Sequence, residues 1–371
     1  MKRKHIAVSV ISDLVTDQRV IRICNTLQQA GFNVTVIART FSNSLPLDKY
    51  LFRAERIHCY FRKGMLQYAE FNLKLFWKLL FMQTDYLLAN DLDTLIPNYV
   101  LSKWKRTALF YDTHEYFTGV PELRDSPFKK KVWKFFENLI FPRLKTVYTV
   151  NESVKKMYEQ EYGNDIKVVR NVPVTTEVKS IAMPAGWQHK TILLMQGAGV
   201  NQGRGGMELL EAMKYLSDAY LLVFIGSGNQ WNLIKEKRTE WQLESKTIMM
   251  DKMPPGLLRQ YTAIAHIGFS LDSFEDLNCL YNLPNKIFDY IHGNVPVIAT
   301  GIPEVKKIIE QYQCGICINS NNPLLIAKTI ENMMQNRQTY QAYRQHCAHA
   351  AKELCWEKES VILTAIYQPY L

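Results

Sequence analysis

The chain has no run approaching the roughly 18 uninterrupted apolar residues that a membrane-spanning helix needs. Its richest stretch, Leu73 to Met82, is broken by Lys74 and Lys78, so no bilayer-crossing helix is expected. It also lacks a disulfide framework. The seven cysteines (Cys24, Cys59, Cys279, Cys314, Cys317, Cys347, Cys355) are odd in number and scattered over a chain long enough to build a core without staples, which predicts a reducing cytoplasm. Cys314 and Cys317 form a lone C-x-x-C without a second pair or nearby histidines, and read as buried structural thiols. The G-x-x-x-x-G-K-[ST] loop of nucleoside triphosphatases is absent, as are internal repeats, low-complexity tracts and recognised nucleic-acid motifs. The basic start could open a signal peptide, but the apolar run Ile6 to Ile11 stops at Ser12-Asp13 without a small-residue cleavage site, and reads as a first buried strand.

What is present is globular: 371 residues, 47% apolar and 22% charged, enough for two domains. The net charge of +10 is unevenly placed. Residues 1–172 hold 27 Lys+Arg against 17 Asp+Glu, whereas residues 173–371 hold 18 of each. Apolar strand candidates (Ile6 to Val10, Val34 to Ala38, Tyr86 to Ala89, Ala108 to Tyr111, Thr146 to Val150) alternate with helical stretches, and the pattern restarts after a Pro-bearing linker, Asn171 to Pro184. Thr191 to Gln196, Leu221 to Ile225, Lys246 to Met250, Ile267 to Leu271 and Val297 to Ala299 are the second set. This predicts an α/β chain of two Rossmann-like doubly wound domains facing a cleft, residues 1–172 and residues 173–350.

In the second half, Gln196-Gly-Ala-Gly-Val-Asn-Gln-Gly-Arg-Gly-Gly206 leaves a strand and enters a helix predicted over Met207 to Leu216. Glycines there let a ligand approach the backbone, helix N–H groups favour an anion, and Arg204 adds a fork-shaped donor suited to a diphosphate. The simpler reading is a glycine-rich turn with a solvated Arg. A second tight turn, Gly226-Ser227-Gly228, follows the next strand. Leu283-Pro-Asn-Lys-Ile-Phe-Asp289 opens a helix on which Lys286 and Asp289 share a face, one able to meet a phosphate and the other ribose hydroxyls; an ordinary surface ion pair is the alternative.

These motifs, in the order G-x-G…N-x-x-R-G, I-G-S-G and L-P-N-K-x-F-D-Y-x-x-x-x-V-P-V-I-A, resemble the donor domain of retaining GT-B-fold glycosyltransferases of family 4 (glycosyl transferases group 1). S-D-L-x-x-D-x-R-V (Ser12 to Val20), A-N-D-L-D-T-L (Ala89 to Leu95), Y-D-T-H-E-Y-F (Tyr111 to Phe117) and R-N-V-P (Arg170 to Pro173) resemble the bacterial subgroup that builds surface polysaccharides. The resemblance implies a nucleotide-sugar donor, UDP- or GDP-linked, with no cofactor and no metal, and a tail helix, residues 351–371, crossing back onto the first domain. It implies donor contacts at Gly197, Gly199, Asn201, Arg204, Gly226, Ser227, Gly228, Asn285, Lys286 and Asp289, with Arg204 on the diphosphate and Asp289 on the ribose. Asp289 stands at the family's second glutamate. Two positions depart from the pattern: Tyr281 stands where the paired glutamate eight residues earlier would fall, for which Lys286 or Glu275 would substitute, and Gly199 near the family's other basic residue.

In the first half, His114 and Glu115 follow the strand Ala108 to Asp112 and so lie at its carboxyl end. The resemblance gives His114 a hydrogen bond to a sugar hydroxyl, the alternative being a helix cap at Asp112-Thr113 with a solvated His. His114, Glu115, Arg204 and Lys286 are the catalytic candidates. Asp17, Arg19 and His114 are the acceptor-side candidates, with Arg19 either neutralising the leaving diphosphate or paired with Asp17. Asp91-Leu-Asp93 is formally a metal-type pair, but in the acceptor half it argues against a donor metal. The expected reaction is transfer with retention to a glycan or lipid-linked acceptor.

Ser126 to Lys145 holds six basic residues and one acid, with Phe128, Val132, Phe135, Phe136, Leu139 and Ile140 at helical spacing. This predicts either a helix lying on an anionic membrane surface, with the protein peripheral to the inner face of the cytoplasmic membrane, or a helix packed on its own sheet. Leu66 to Met82 is a second such helix. Three other functions remain: a catalytically impaired nucleotide-sugar binder, an epimerase of the same fold, and, more remotely, a nucleic-acid-binding protein.

Overall fold

A computed structural model describes the chain except residues 1–2, 43, 48, 120–122, 124–125, 179–180, 198–199 and 275–276, and the side chains of 277–278. Gly199 and Glu275 therefore lie outside the described residues. The chain forms two compact units, residues 1–171 with 357–371, and residues 172–356.

The first unit is built on a seven-stranded, wholly parallel sheet of order β3-β2-β1-β4-β5-β6-β7. Its elements in chain order are β1 (His5–Ser9), α1 (Gln18–Gln29), β2 (Asn33–Thr40), β3 (Arg53–His58), α2 (Met65–Phe81), β4 (Tyr86–Asn90), α3 (Leu92–Lys105), β5 (Ala108–Thr113), α4 (Pro127–Ile140), β6 (Thr146–Thr149), α5 (Glu152–Tyr162) and β7 (Ile166–Val168). The second unit carries β8 (Thr191–Gly197), α6 (Gly206–Ala212), β9 (Tyr220–Gly226), α7 (Trp231–Glu240), β10 (Thr247–Asp251), α8 (Pro255–Ala263), β11 (Ile267–Ser270), α9 (Asn285–His292), β12 (Val297–Thr300), α10 (Pro303–Tyr312), β13 (Gly315–Ile318), α11 (Pro323–Gln335) and α12 (Arg337–Glu353). Its six-stranded parallel sheet has the order β10-β9-β8-β11-β12-β13. In both sheets strand order reverses beside the first strand, which sets a switch point at the carboxyl ends of β1 and β4, and of β8 and β11.

The continuous apolar runs follow from burial on both faces. Along β8, Ile192 and Leu194 join one core cluster while Leu193 and Met195 join the other, as the two-residue strand period requires. Helix α6 ends at Ala212, four residues short of the predicted Leu216. Residues 351–356 stay with the second unit, where Leu354 is buried, so the tail returns six residues later than expected.

That tail, α13 (Trp356–Tyr367), is tied firmly to the first unit. Tyr367 is fully buried, stacks on Phe110 with ring centroids 4.2 Å apart, and brings its hydroxyl within 3.2 Å of that of Tyr148. Buried Glu359 accepts from the Arg170 backbone N–H at 2.8 Å and pairs with its guanidinium at 3.3 Å. Arg170 of the R-N-V-P stretch is thus a docking residue for the C-terminal helix.

Candidate active site

In the second unit, the turn after β8 and the turn after β9 are fitted to each other. Val200 N–H donates to the Ser227 carbonyl at 2.8 Å, and Ser227 N–H to that of Gly197 at 3.3 Å. A Cβ at Gly226, whose φ is +147°, would lie 1.9 Å from the Gly197 carbonyl oxygen, and one at Gly228 would lie 2.1 Å from that of Val200. Asn201 Oδ1 accepts from Asn229 N–H at 2.8 Å. Asn201 and the three glycines therefore hold the two turns together, which is the role the geometry gives these expected donor contacts.

Arg204 faces a carboxylate that the sequence did not single out. Its guanidinium lies 3.0 Å from Asp272 Oδ1, and Asp272 is completely buried two residues beyond β11. The loop carrying Arg204 is packed on the loop carrying Asp272, because Ser273 N–H donates to the Gly203 carbonyl at 2.8 Å. Half-buried Lys286, on α9, completes the group. Burial holds its ammonium below the ordinary lysine range, opposed by Asp272 and reinforced by Arg204. Two cations thus converge on one buried carboxylate at the switch point of the second sheet. Asn285, beside Lys286, is exposed, and Tyr281 is half-buried.

Asp289, one turn further along α9, accepts from Gln196 Nε2 at 3.1 Å, and Gln196 Oε1 in turn accepts from Thr262 at 2.7 Å. The end of β8 thereby fixes the carboxylate assigned to a ribose. Among the ion pairs of the described residues none joins Lys286 to Asp289, which speaks against the surface-pair alternative.

At the carboxyl edge of the first sheet, four ionic side chains form a chain. Arg19 Nε and Nη2 donate to Asp112 at 2.9 and 2.7 Å, and its Nη1 donates to the Val169 carbonyl at 2.7 Å. His114 Nε2 lies 3.2 Å from Asp112, and its Nδ1 lies 3.1 Å from Asp91. Asp91 also accepts from the His114 backbone N–H at 2.8 Å. Burial disfavours the imidazolium, but Asp91 and then Asp112 overcome it and raise the His114 pKa to about 9. Asp112 is held below the ordinary carboxylate range because Arg19 and His114 outweigh its burial. Burial drives Asp93 well upward, with Asp91 adding to the rise.

Three expectations change. Arg19 is 3% exposed and pairs with Asp112, not Asp17, so it neither meets a diphosphate nor pairs as expected. Asp17 is the N-cap of α1, accepting from Val20 N–H at 3.1 Å and from the Ser12 hydroxyl at 2.5 Å, a local role. His114 is half-buried, and the expected cap at Asp112-Thr113 is absent: Asp112 is a buried strand residue, and both ring nitrogens face carboxylates, one of them Asp91 at the start of α3. Glu115 is exposed next to it.

Two successive doubly wound parallel units, with polar clusters at their switch points, define the GT-B architecture. The family description Glycosyl transferases group 1 matches residues 187–353, and Glycosyltransferase Family 4 matches residues 17–173. The chain belongs to these nucleotide-sugar-dependent glycosyltransferases, a retaining family. A comparison with curated proteins finds no match. Similar solved structures include sucrose-phosphate synthase from Thermosynechococcus elongatus (TM-score 0.80, 14% identity, 99% of each chain covered). Anabaena HepE in complex with UDP-glucose is also similar (0.76, 14%, covering 98% of this chain and 99% of that one). So is WaaG, a glycosyltransferase involved in lipopolysaccharide biosynthesis (0.73, 13%, covering 97% and 99%). At such identities these likenesses speak for the fold.

Proposed function

We propose that the enzyme moves a sugar from a UDP- or GDP-linked donor to a glycan or lipid-linked acceptor hydroxyl in cell-surface polysaccharide synthesis. The observation that carries this reading is the Arg204, Asp272 and Lys286 cluster. Asp272 pairs with Arg204 and attracts Lys286, and a donor diphosphate brings the further negative charge that two cations can take. As the bond to the anomeric carbon breaks, charge grows on the leaving phosphate, and preoriented cations stabilise that state more than the ground state. Asp289, fixed by Gln196, suits the ribose hydroxyls. His114, cationic at neutral pH, offers N–H donors to a sugar hydroxyl when that hydroxyl replaces one carboxylate oxygen.

The complexed UDP-glucose of HepE and the pathway named for WaaG favour a nucleotide-sugar and a surface glycan. Membrane association through Ser126 to Lys145 is part of the proposal. On α4, Phe128, Phe135 and Leu139 are exposed beside Lys130 and Lys131, whereas Trp133, Glu137 and Ile140 face inward. Lys134 is not available to lipid, because it is bound to Glu137 at 2.8 Å and to Glu161. Among the described residues no helix is long and apolar enough to cross a membrane.

The test is incubation with a panel of nucleotide-sugars and lipid-linked glycan acceptors. Release of nucleoside diphosphate that depends on acceptor, with the product's anomeric configuration matching the donor's, is the expected result. Donor turnover without acceptor would favour an epimerase, and binding without turnover an impaired relative; either would overturn the proposal.

A further inference from the structure

At the opposite, amino-terminal edge of the first sheet, the starts of β5 and β6 open into a cavity of about 460 Å³. Lys103, Arg106, Arg143 and Lys145 line it together with Thr107 and Tyr370, and no Asp or Glu does. All four cations are exposed, and among the described residues none has a carboxylate partner. Lys103 lies over the Tyr99 ring at 5.2 Å, and Arg143 donates to the Leu139 carbonyl. Lys105, on the same turn of α3, differs: its ammonium binds the Leu79 and Met82 carbonyls at 2.6 and 2.8 Å, closing the end of α2.

Helix α3 ends here, and its dipole favours Lys103 and Arg106. That argument does not reach Arg143 and Lys145, which come from the segment leading into β6 and are brought alongside by the sheet register Phe110 to Thr146. Two further features mark the place. The Thr107 hydroxyl is buried without a hydrogen-bond partner. Arg106 sits at φ +54°, a left-handed cap where Gly or Asn is least strained. Converging like charges repel one another, and a bound anion removes that repulsion.

We propose that this cavity binds a phosphate-bearing anion, held by Lys103, Arg106, Arg143 and Lys145. The phosphate comes either from a lipid headgroup or from a free phosphate compound. Exposed Trp104 and Val100 on the last turns of α3, and Leu139 beside Arg143, give the cavity apolar neighbours of the kind a lipid headgroup would bring. The site shares no residue with the Arg204 and Lys286 cluster and does not depend on the donor assignment.

The test uses the full chain carrying Arg204→Ala with Lys286→Ala, so that the donor cluster does not report, titrated calorimetrically with inorganic pyrophosphate. In parallel it is sedimented with phosphatidylcholine vesicles with and without phosphatidylglycerol. Binding to pyrophosphate assigns a free phosphate compound, and binding only to the anionic vesicles assigns a headgroup. In either case Lys103→Gln with Arg106→Gln lowers the affinity at least about tenfold, while Lys130→Gln with Lys131→Gln leaves pyrophosphate binding unchanged. Both pairs are exposed, and an unchanged melting temperature verifies the fold. No binding to either probe, or retention of binding by the Lys103/Arg106 variant, overturns the proposal.

Discussion

Arg19 and Asp112 form a two-point ion pair almost wholly out of solvent, 93 residues apart in sequence. The pair joins the first turn of α1 to the end of β5, and the third guanidinium contact, to Val169, reaches β7's end. It also orders the carboxyl edge of the first sheet, because the same Asp112 carboxylate faces His114.

Breaking such a pair leaves a buried charge without a partner. Arg19→Ala should destabilise the protein by about 3 to 5 kcal/mol, and Arg19→Lys should recover little of it, since an ammonium cannot reproduce the fork. Urea denaturation of both variants measures this.

His114 should titrate near pH 9 in the folded enzyme, observable by NMR of its ring protons. Its folded value lies above the ordinary one near 6.5, so the stabilisation from its pairing is complete below about pH 6.5 and fades as pH rises through 9. His114→Ala removes that pH dependence and should lower kcat more than donor KM.

Asp91 holds φ +56° and ψ 168°, a region that suits glycine. Asp91→Gly should therefore be more stable than Asp91→Ala by about 1 to 3 kcal/mol. Both should return the His114 pKa towards its ordinary value, since each removes the same carboxylate. Equal stability of the two variants would show the backbone there to be unstrained.

Asp272→Asn removes a negative charge that faces both Arg204 and Lys286. Affinity for a nucleoside diphosphate should rise, with a steeper loss on adding salt, measured by calorimetry at two ionic strengths.

The fold was legible wherever strands are buried on both faces, as in Thr191 to Gln196 and Ala108 to Tyr111, because an unbroken apolar run has few other readings. β3 was not, since Arg53, Glu55 and Arg56 give this edge strand a polar pattern, and the three residues of β7 are too few to show one. Arg204, Lys286 and Asp289 were visible through their motifs. Asp272 was not: it follows a predicted strand, but its contact with Arg204 arises only from packing of one loop on another. Arg19 was misread for the same reason, its partners Asp112 and Val169 lying far along the chain, whereas Asp17 turned out to have local partners, Ser12 and its own helix.

The proposed donor site turns on Arg204 holding the donor diphosphate. Calorimetric titration of wild-type and Arg204→Ala enzyme with a panel of UDP- and GDP-sugars tests it. At least one donor should bind the wild type, and the substitution should weaken it about tenfold or more through loss of a charge-assisted contact. Unchanged affinity in Arg204→Ala, or no donor binding to the wild type, would contradict the account.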